Sequence, residues 1–375
     1  MTILDRYVLK KFFVPFFYCI VGFIAIWLVF DLTDNIGDFI DGHASLKFIV
    51  TFYLAQLPEV IVLILPIAML LGLLYSLTQM SRSNEIISML TAGRSVVRVL
   101  VPMFAIGFVL VGLMAYFNYE GAPHAEKTKK AMMKELTSGR KADERAIPAH
   151  MFRNRYDNRT WYMRKIYPAL QKLNDLQIIQ QDRNGVILRE WYARGAEYDT
   201  ATKTWTLDDM KVVDLDPNGD VIKTVYKPEY TISDWSESPW RIASSTMNPD
   251  YLSVPELHDY LKYNADFPAN RLAPFRTQLE NRWAAPWTVL IVVFLAAPLG
   301  IVYSRRGIMG GVAMAIGLFF ALFALGSLFV ALGKGSKMSP EVAAWTPYAL
   351  FFGIGLILLW MRSTNRDIRI PKIFG

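Results

Sequence analysis

Six runs of at least 18 residues without one charged side chain dominate what this chain can fold into; they lie at 12–30, 60–81, 99–117, 283–304, 307–333 and 342–361. A helix rises about 1.5 Å per residue, so about 20 apolar residues cross a hydrocarbon core of roughly 30 Å. Each run is therefore read as a membrane span. The second starts earlier, near Phe48, which puts Glu59 inside it, and the fifth is long enough to tilt. The first is read as an uncleaved span, because Leu28-Val29-Phe30-Asp31 offers no small-residue cleavage site.

Short connections set the orientation, since Lys and Arg near span ends favour the cytoplasmic side. Arg6, Lys10 and Lys11 precede span one, Arg82 and Arg94 separate two from three, Arg305 and Arg306 separate four from five, and Arg362, Arg366, Arg369 and Lys372 follow six. All fall on one side of a six-span arrangement. The opposite connections are acidic (Asp31, Asp34, Asp38, Asp41) or mixed (Lys334, Lys337, Glu341). Both termini are expected in the cytoplasm and the long segment between spans three and four outside it. The net charge of +7 is not a nucleic-acid patch, because residues 120–282 hold 25 Lys/Arg against 24 Asp/Glu and the excess sits at the ends and in short loops.

Residues 120–150 are polar and rich in Lys, Glu and Ala, which reads as a helical stalk. Beyond them come short β-branched and aromatic stretches, TWYMRKIY, LNDLQIIQQ, GVILREWYAR, KTWTLDD, MKVVDLD and VIKTVY, separated by turn signals such as Asp182-Arg183-Asn184-Gly185 and Asp216-Pro217-Asn218-Gly219. They argue an antiparallel sandwich, jelly roll or open barrel. SVPELHDYLKY, 253–263, reads as a helix capped by Ser253, with Leu257, Tyr260 and Leu261 on one face. The fold class is thus an α-helical membrane protein with six transmembrane helices, three plus three, and an inserted all-β, jelly-roll-like domain. The divisions are 1–119 with a cytoplasmic helix in 81–95, then 120–280, then 281–375.

Catalytic constellations are absent from the sequence. It holds no G-x-x-x-x-G-K-[ST], H-E-x-x-H or G-x-S-x-G, and Gly333-Lys334-Gly335-Ser336 lacks the preceding glycine of a phosphate loop. Cys19 is the one cysteine, so neither a disulfide nor a cysteine zinc site can be built, and His43, His124, His150 and His258 read as isolated surface or capping residues. No catalytic residue and no metal site is expected. Glu59 is the one carboxylate well inside an apolar run. At mid-membrane it would cost about 2.5 to 3.5 kcal/mol on insertion scales, so it should face protein or a wet cavity, or snorkel.

SRSNEIISMLTAGRS, 81–95, interrupts two spans with a small amphipathic stretch. Ser83 can cap a helix with Glu85 in its first turn; Ile86, Ile87 and Leu90 form a stripe, and Gly93 is a natural stop. Three turns at most are too short to be stable alone, so the helix must dock. Its footing is either the membrane and its own spans, or a groove in a cytoplasmic partner that offers Glu85 a basic residue.

The ordered strings LDRYVLKKF, PEVIVLILPIAMLLGLL, EIISMLTAG, LAAPLGIVYSRRG and WTPY (345–348), in a three-plus-three layout around a β domain, resemble the permease subunits F and G of the lipopolysaccharide-transport (Lpt) ABC exporter. LDRY and LHDYLKY are similar to the G subunit and Pro58-Glu59 to F, with the balance leaning to G. The resemblance implies a bacterial inner-membrane permease that extracts lipopolysaccharide, or a related glycolipid, from the outer leaflet. It implies that the helix in 81–95 is a coupling helix entering an ATPase groove, through Arg82, Ser83, Asn84, Glu85, Ile86, Ile87, Met89, Leu90 and Gly93. It also implies an LptB-like ATPase dimer carrying the ATP and Mg, with no cofactor on this chain. The further partners would be a companion LptF/LptG-like permease and periplasmic jelly-roll proteins like LptC and LptA, with no nucleic acid.

In that family spans one and five line an apolar cavity, which makes Phe16, Phe23, Trp27 and Phe30, Glu59, and Gly310, Gly311 and Gly317 the candidate cavity and lateral-gate residues. One departure stands out: the outer end of span one reads VFDLTDNIGDFIDG, four aspartates with no Lys or Arg before Lys47. Phosphate contacts would then come from the companion subunit, or the glycolipid would carry fewer phosphates, or divalent ions would bridge. A proton-coupled carrier using Glu59 and a non-transporting envelope assembly factor are the competing functions.

Overall fold

The computed structural model of the chain describes residues 3–138, 147–167, 170–244, 247–265, 267–301 and 308–364. In chain order the elements are α1 (Ile3–Asp41), α2 (Leu46–Arg82), α3 (Glu85–Thr91), α4 (Val96–Tyr116) and, after a π turn at Phe117–Gly121, α5 (Ala122–Ser138). Six strands follow: β1 (Ile147–Asn154), β2 (Arg159–Tyr167), β3 (Lys172–Gln181), β4 (Ile187–Asp199), β5 (Thr204–Leu215) and β6 (Val221–Ile232). The chain then returns through α6 (Pro239–Ser244), α7 (Val254–Tyr263), α8 (Ala269–Ala284), α9 (Thr288–Gly300), α10 (Ile308–Lys334) and α11 (Pro340–Ser363). It divides into two compact units, one of Met1–Lys129, Pro249–His258 and Ala269–Gly375, the other of Lys130–Asn248 and Asp259–Pro268.

Among the described residues six helical stretches are long and apolar enough to cross a membrane: Ile3–Asp41, Leu46–Arg82, Val96–Thr137, Ala269–Gly300, Met309–Lys334 and Pro340–Ser363. Ser45 and Ser95 start α2 and α4 by accepting a hydrogen bond from the amides of Phe48 (3.2 Å) and Arg98 (3.3 Å). Asp5, Val8, Phe12 and Phe16 recur every three or four residues and are the buried stripe of α1. That stripe lies on α2, where Gly72 admits it: a Cβ there would come within 2.9 Å of the Phe16 Cα. The centre is α2 with α9, whose Val289–Leu299 stretch is almost wholly buried, and Gly355 of α11 makes a similar close approach to Phe294. α1 and α10 are peripheral. Phe17, Tyr18, Val29 and Phe30 on one, and Phe320, Phe323 and Leu328 on the other, remain exposed.

α1 continues as helix to Asp41, so Asp31, Asp34, Asp38 and Asp41 are helical residues and not the acidic loop read from the sequence. The loop itself is only Gly42-His43-Ala44-Ser45. Asp31 is buried there, takes the ammonium of Lys129 on α5, and accepts from Asn35 at 3.0 Å. α5 therefore brings to the end of α1 a cation that the local sequence lacks.

The second unit is a six-stranded antiparallel meander whose strands pair in chain order, β1 to β6. β1 falls in the stretch read as stalk, and the KTWTLDD and MKVVDLD segments are one strand, β5. The cause of that misreading is visible. One row of the sheet, through Arg164, Asp175, Arg194 and Asp209, drops out of the pairing while the register on either side is unchanged. Asp175 and Asp209 sit at φ of +51° and +49°. At this row the inward alternation slips by one residue in each strand, from Trp161 and Met163 to Ile166, and from Trp205 and Leu207 to Met210. A crease results, marked outside by ion pairs Arg164–Asp175 (3.4 Å) and Arg194–Asp209 (3.9 Å).

A strap, residues 233–244, closes the inner face. Trp161, Trp191, Trp205 and Trp235 form its aromatic core with Ile242 and Ala243. The Glu237 carboxylate is fully buried yet satisfied, accepting from Arg159 (2.7 Å), Asn154 (2.8 Å) and the Trp161 indole (3.2 Å). Arg159 lies over the Trp235 ring at 5.0 Å.

Candidate functional site

The short helix α3 is two turns of Glu85–Thr91. Its start differs from the sequence reading. Asn84, in the left-handed region at φ +59°, stands at the cap with no side-chain hydrogen bond, and Ser83 instead donates back to the last turn of α2 at Gln79 (3.0 Å). The stop is as expected, with Gly93 at φ +85°. A two-turn helix has to be held by something else, and here its own chain holds it. Ile86 and Met89 are buried in the main apolar core of the first unit, while Leu90 packs partly against it. These side chains, expected as footing for a partner, are taken by the spans. What faces outward is Asn84, Ser88, Thr91 and Ala92, with Ile87 half-buried.

One ion pair braces the helix to the first turns of α1, and a second ties α1 to α4 beside it. Lys11 lies 3.7 Å from Glu85, and the Lys11 ammonium also sits 5.5 Å over the Tyr7 ring. Asp5 and Arg98 form a two-pronged pair with both contacts at 3.0 Å, joining α1 to the start of α4. Glu85 was expected to meet a basic residue of another chain; its cation here is in cis. Its second oxygen, Oε2, is buried without a hydrogen-bond partner. Asp5, Lys11 and Arg98 were missed because a long-range pair leaves no trace in local spacing.

The candidate gate residues separate. Phe16 is packing, buried between α1 and α2 against Gly72. Phe23 is half-buried against the core; Trp27 meets Tyr53 edge-on at 5.9 Å; Phe30 is exposed. On α10, Gly317 has open space where a Cβ would go, so it makes no close packing within this chain. Gly311 is buried and Gly310 half-buried. Gly307, Arg305, Arg306, Arg366, Arg369 and Lys372 lie outside the described residues.

Glu59 is half-buried on α2 and is not solitary: it and Asp250 both act electrostatically on Arg282 of α8. Arg282 donates to Asn118 (2.9 Å) and to the Asp250 carbonyl (2.6 Å), and Asn118 returns a bond to the Arg282 carbonyl (2.7 Å). Glu59 thus belongs to a polar node that joins the interior of α2 to the C-terminal end of α8. Ser253 and Glu256 form a capping box on α7, Ser253 N–H to Oε2 at 2.9 Å, with His124 3.2 Å from the same oxygen. His150 is a buried ring bound to the Ile242 carbonyl at 2.7 Å. Among the described residues no three His, Cys, Asp or Glu side chains converge on a possible metal position.

The family model for the lipopolysaccharide export system permease LptF/LptG matches residues 6–361. The chain belongs to the LptF/LptG family. It is 22% identical to the permease protein LptG of Escherichia coli K12 over 371 residues, covering 96% of this chain and 99% of that protein. LptG of Haemophilus influenzae gives 22% over 376 residues, 97% and 99% of the two chains. LptF of Escherichia coli K12 gives 21% over 348 residues, 90% and 89%. An LptF/LptG-family chain is a transport permease, and six apolar helices make it a multi-pass membrane protein.

Proposed function

We propose that this chain is a permease subunit that exports lipopolysaccharide or a related glycolipid, driven by an ATPase on a separate chain. The observation that carries the reading is the match to the permease family from residue 6 to residue 361, which spans both helical halves and the β domain.

The physical problem is the lipid. Exposing one acyl tail of about 12 carbons to water costs roughly 10 kcal/mol, at about 0.8 kcal/mol per CH₂. Extraction therefore requires an apolar path and work delivered from elsewhere. α1 and α10 are the least buried spans, with large apolar side chains facing away from their own chain, as a lateral gate shared with a companion LptF- or LptG-like permease requires. In this reading Phe23, Trp27 and Phe30 face the lipid path and Phe16 supports them.

Work enters at α3. Its exposed face, with Arg82, Ser83, Asn84, Ser88 and Thr91, docks on an LptB-like ATPase dimer that carries the ATP and Mg; this chain binds neither. Displacement of α3 passes to α1 through Lys11–Glu85 and through Ile86 and Met89 in the core. Both termini are cytoplasmic and the β domain periplasmic, where it hands lipid to jelly-roll proteins like LptC and LptA.

The test is purification of the intact complex, followed by measurement of ATP hydrolysis and lipid release. An ATPase subunit is expected to copurify, and Glu85→Ala to lower lipid release per ATP at least several-fold. If no nucleotide-binding chain copurifies and Glu85→Ala leaves export intact, the proposal fails.

A further inference from the structure

A cavity of about 1180 Å³ in the first unit is a cleft between α1, α2 and α10, on the α3 side of the spans. Its mouth carries Lys10, Lys11 and Arg82, and among the described residues no carboxylate lines it. Lys10 and Arg82 are exposed and make no ion pair among the described residues, and the one carboxylate near Lys11 among them is the partly exposed Glu85. Below the cations the walls become aromatic and then apolar, through Tyr18 and Tyr75 to Cys19 at depth.

The dimensions are those of one leaflet. Eight residues separate Lys11 from Cys19 along α1, about 12 Å, and eleven separate Arg82 from Leu71 along α2, about 16 Å. Half of a hydrocarbon core is about 15 Å. The volume exceeds what a drug-sized ligand fills, roughly 300–1,000 Å³.

We infer that this cleft binds an anionic phospholipid of the cytoplasmic leaflet, its phosphate among Lys10, Lys11 and Arg82 and its acyl chains along α1 and α2. Basic pockets between membrane helices on the cytoplasmic side hold acidic lipid headgroups for this reason. Tyr7, one turn from Lys10 and Lys11, suits the interfacial depth, with an apolar ring and a polar tip, while Tyr18 and Tyr75 line the cleft about 10 Å further in. The cleft runs along α1 and α10, the two gate helices, but toward the other leaflet, and it borders α3: a phosphate at Lys11 competes with Glu85, so bilayer composition would tune the brace between α3 and α1. The inference rests on the proposed orientation for the leaflet it names.

Cys19, the chain's one cysteine, lines the cleft and supplies the probe. In the complex with its companion chains made cysteine-free, a bimane on Cys19 is placed in phosphatidylcholine vesicles containing either brominated phosphatidylglycerol or brominated phosphatidylcholine. Quenching by the brominated phosphatidylglycerol is expected to half-saturate at a mole fraction about tenfold lower or more. Lys10→Gln with Arg82→Gln should bring the two lipids within about twofold, and the charge-keeping Lys10→Arg with Arg82→Lys should retain the preference. Equal quenching by both lipids makes the cleft ordinary lipid-facing surface and overturns the proposal. Absence of quenching means that protein, such as a companion permease, fills it, and also overturns it. So does a preference that survives the double Gln variant. Impermeant thiol labelling at position 200 reads orientation separately, so failure of the topology and failure of the lipid site are told apart.

Discussion

Lys11 and Glu85 are both half-buried and their contact is long at 3.7 Å; partly exposed pairs of this kind contribute about 0 to 1 kcal/mol to folding. Their value is positional, and a charge reversal separates the two roles. Lys11→Glu or Glu85→Lys alone should reduce lipid release per ATP several-fold with little change in melting temperature, whereas the double reversal should restore it. Restoration would fail if Glu85 served only a cation on the ATPase. Glu237 is the opposite case. Arg159 is buried beside it, so Glu237→Ala leaves that guanidinium with only the longer 3.9 Å contact to Asp157 as counter-charge and should cost up to about 3–5 kcal/mol in denaturant unfolding. Glu256 supplies a pH dependence. Burial alone would raise its carboxyl pKa, but the Ser253 amide, Lys127 and His124 outweigh that and hold it below the ordinary value of 4.5. A depressed carboxylate pKa adds stability that is complete above 4.5 and is lost as pH falls through the lower folded value. The capping box of α7 should therefore loosen only in acid below about pH 4.5, read as local amide exchange at the start of α7, and Glu256→Gln should remove that dependence.

At the scale of elements, the sequence spoke clearly wherever one periodicity ran unbroken. The six spans, the α7 cap and the Gly93 stop were all legible, because each is written in adjacent residues. β5 was divided in two because the inward alternation of Trp205 and Leu207 slips before Met210, and an isolated strand gives no hint that three neighbours slip at the same row. The glycines of α10 were legible as small residues but not as contacts. Gly317 faces open space, while Gly72, unremarkable inside an apolar run, receives the Phe16 backbone. That contrast predicts that Gly72→Leu pushes α1 off α2, costs at least about 1–3 kcal/mol of packing, and lowers the melting temperature of the purified protein. Gly317→Leu should leave melting unchanged. It remains free to alter export, because it adds bulk to a face that meets nothing in this chain.

For the whole molecule, three spans, a β domain and three spans follow from hydropathy and turn signals, but sidedness depends on charge alone. Lys10, Lys11, Arg82, Arg94 and Arg98 gather at one end of α1, α2 and α4, where the ion pairs Lys11–Glu85 and Asp5–Arg98 also lie. Position 200 lies in the exposed β4–β5 turn and Ser88 on the exposed face of α3. If the basic ends are cytoplasmic, these two positions lie on opposite sides of the membrane. In a Cys19→Ser background, Thr200→Cys should react with a membrane-impermeant maleimide added to intact spheroplasts, and Ser88→Cys only after the membrane is opened. Reaction of Ser88→Cys from outside would invert the arrangement. It would also place α3 where no cytoplasmic ATPase could reach it, so a single labelling pattern bears on both the orientation and the route by which energy enters.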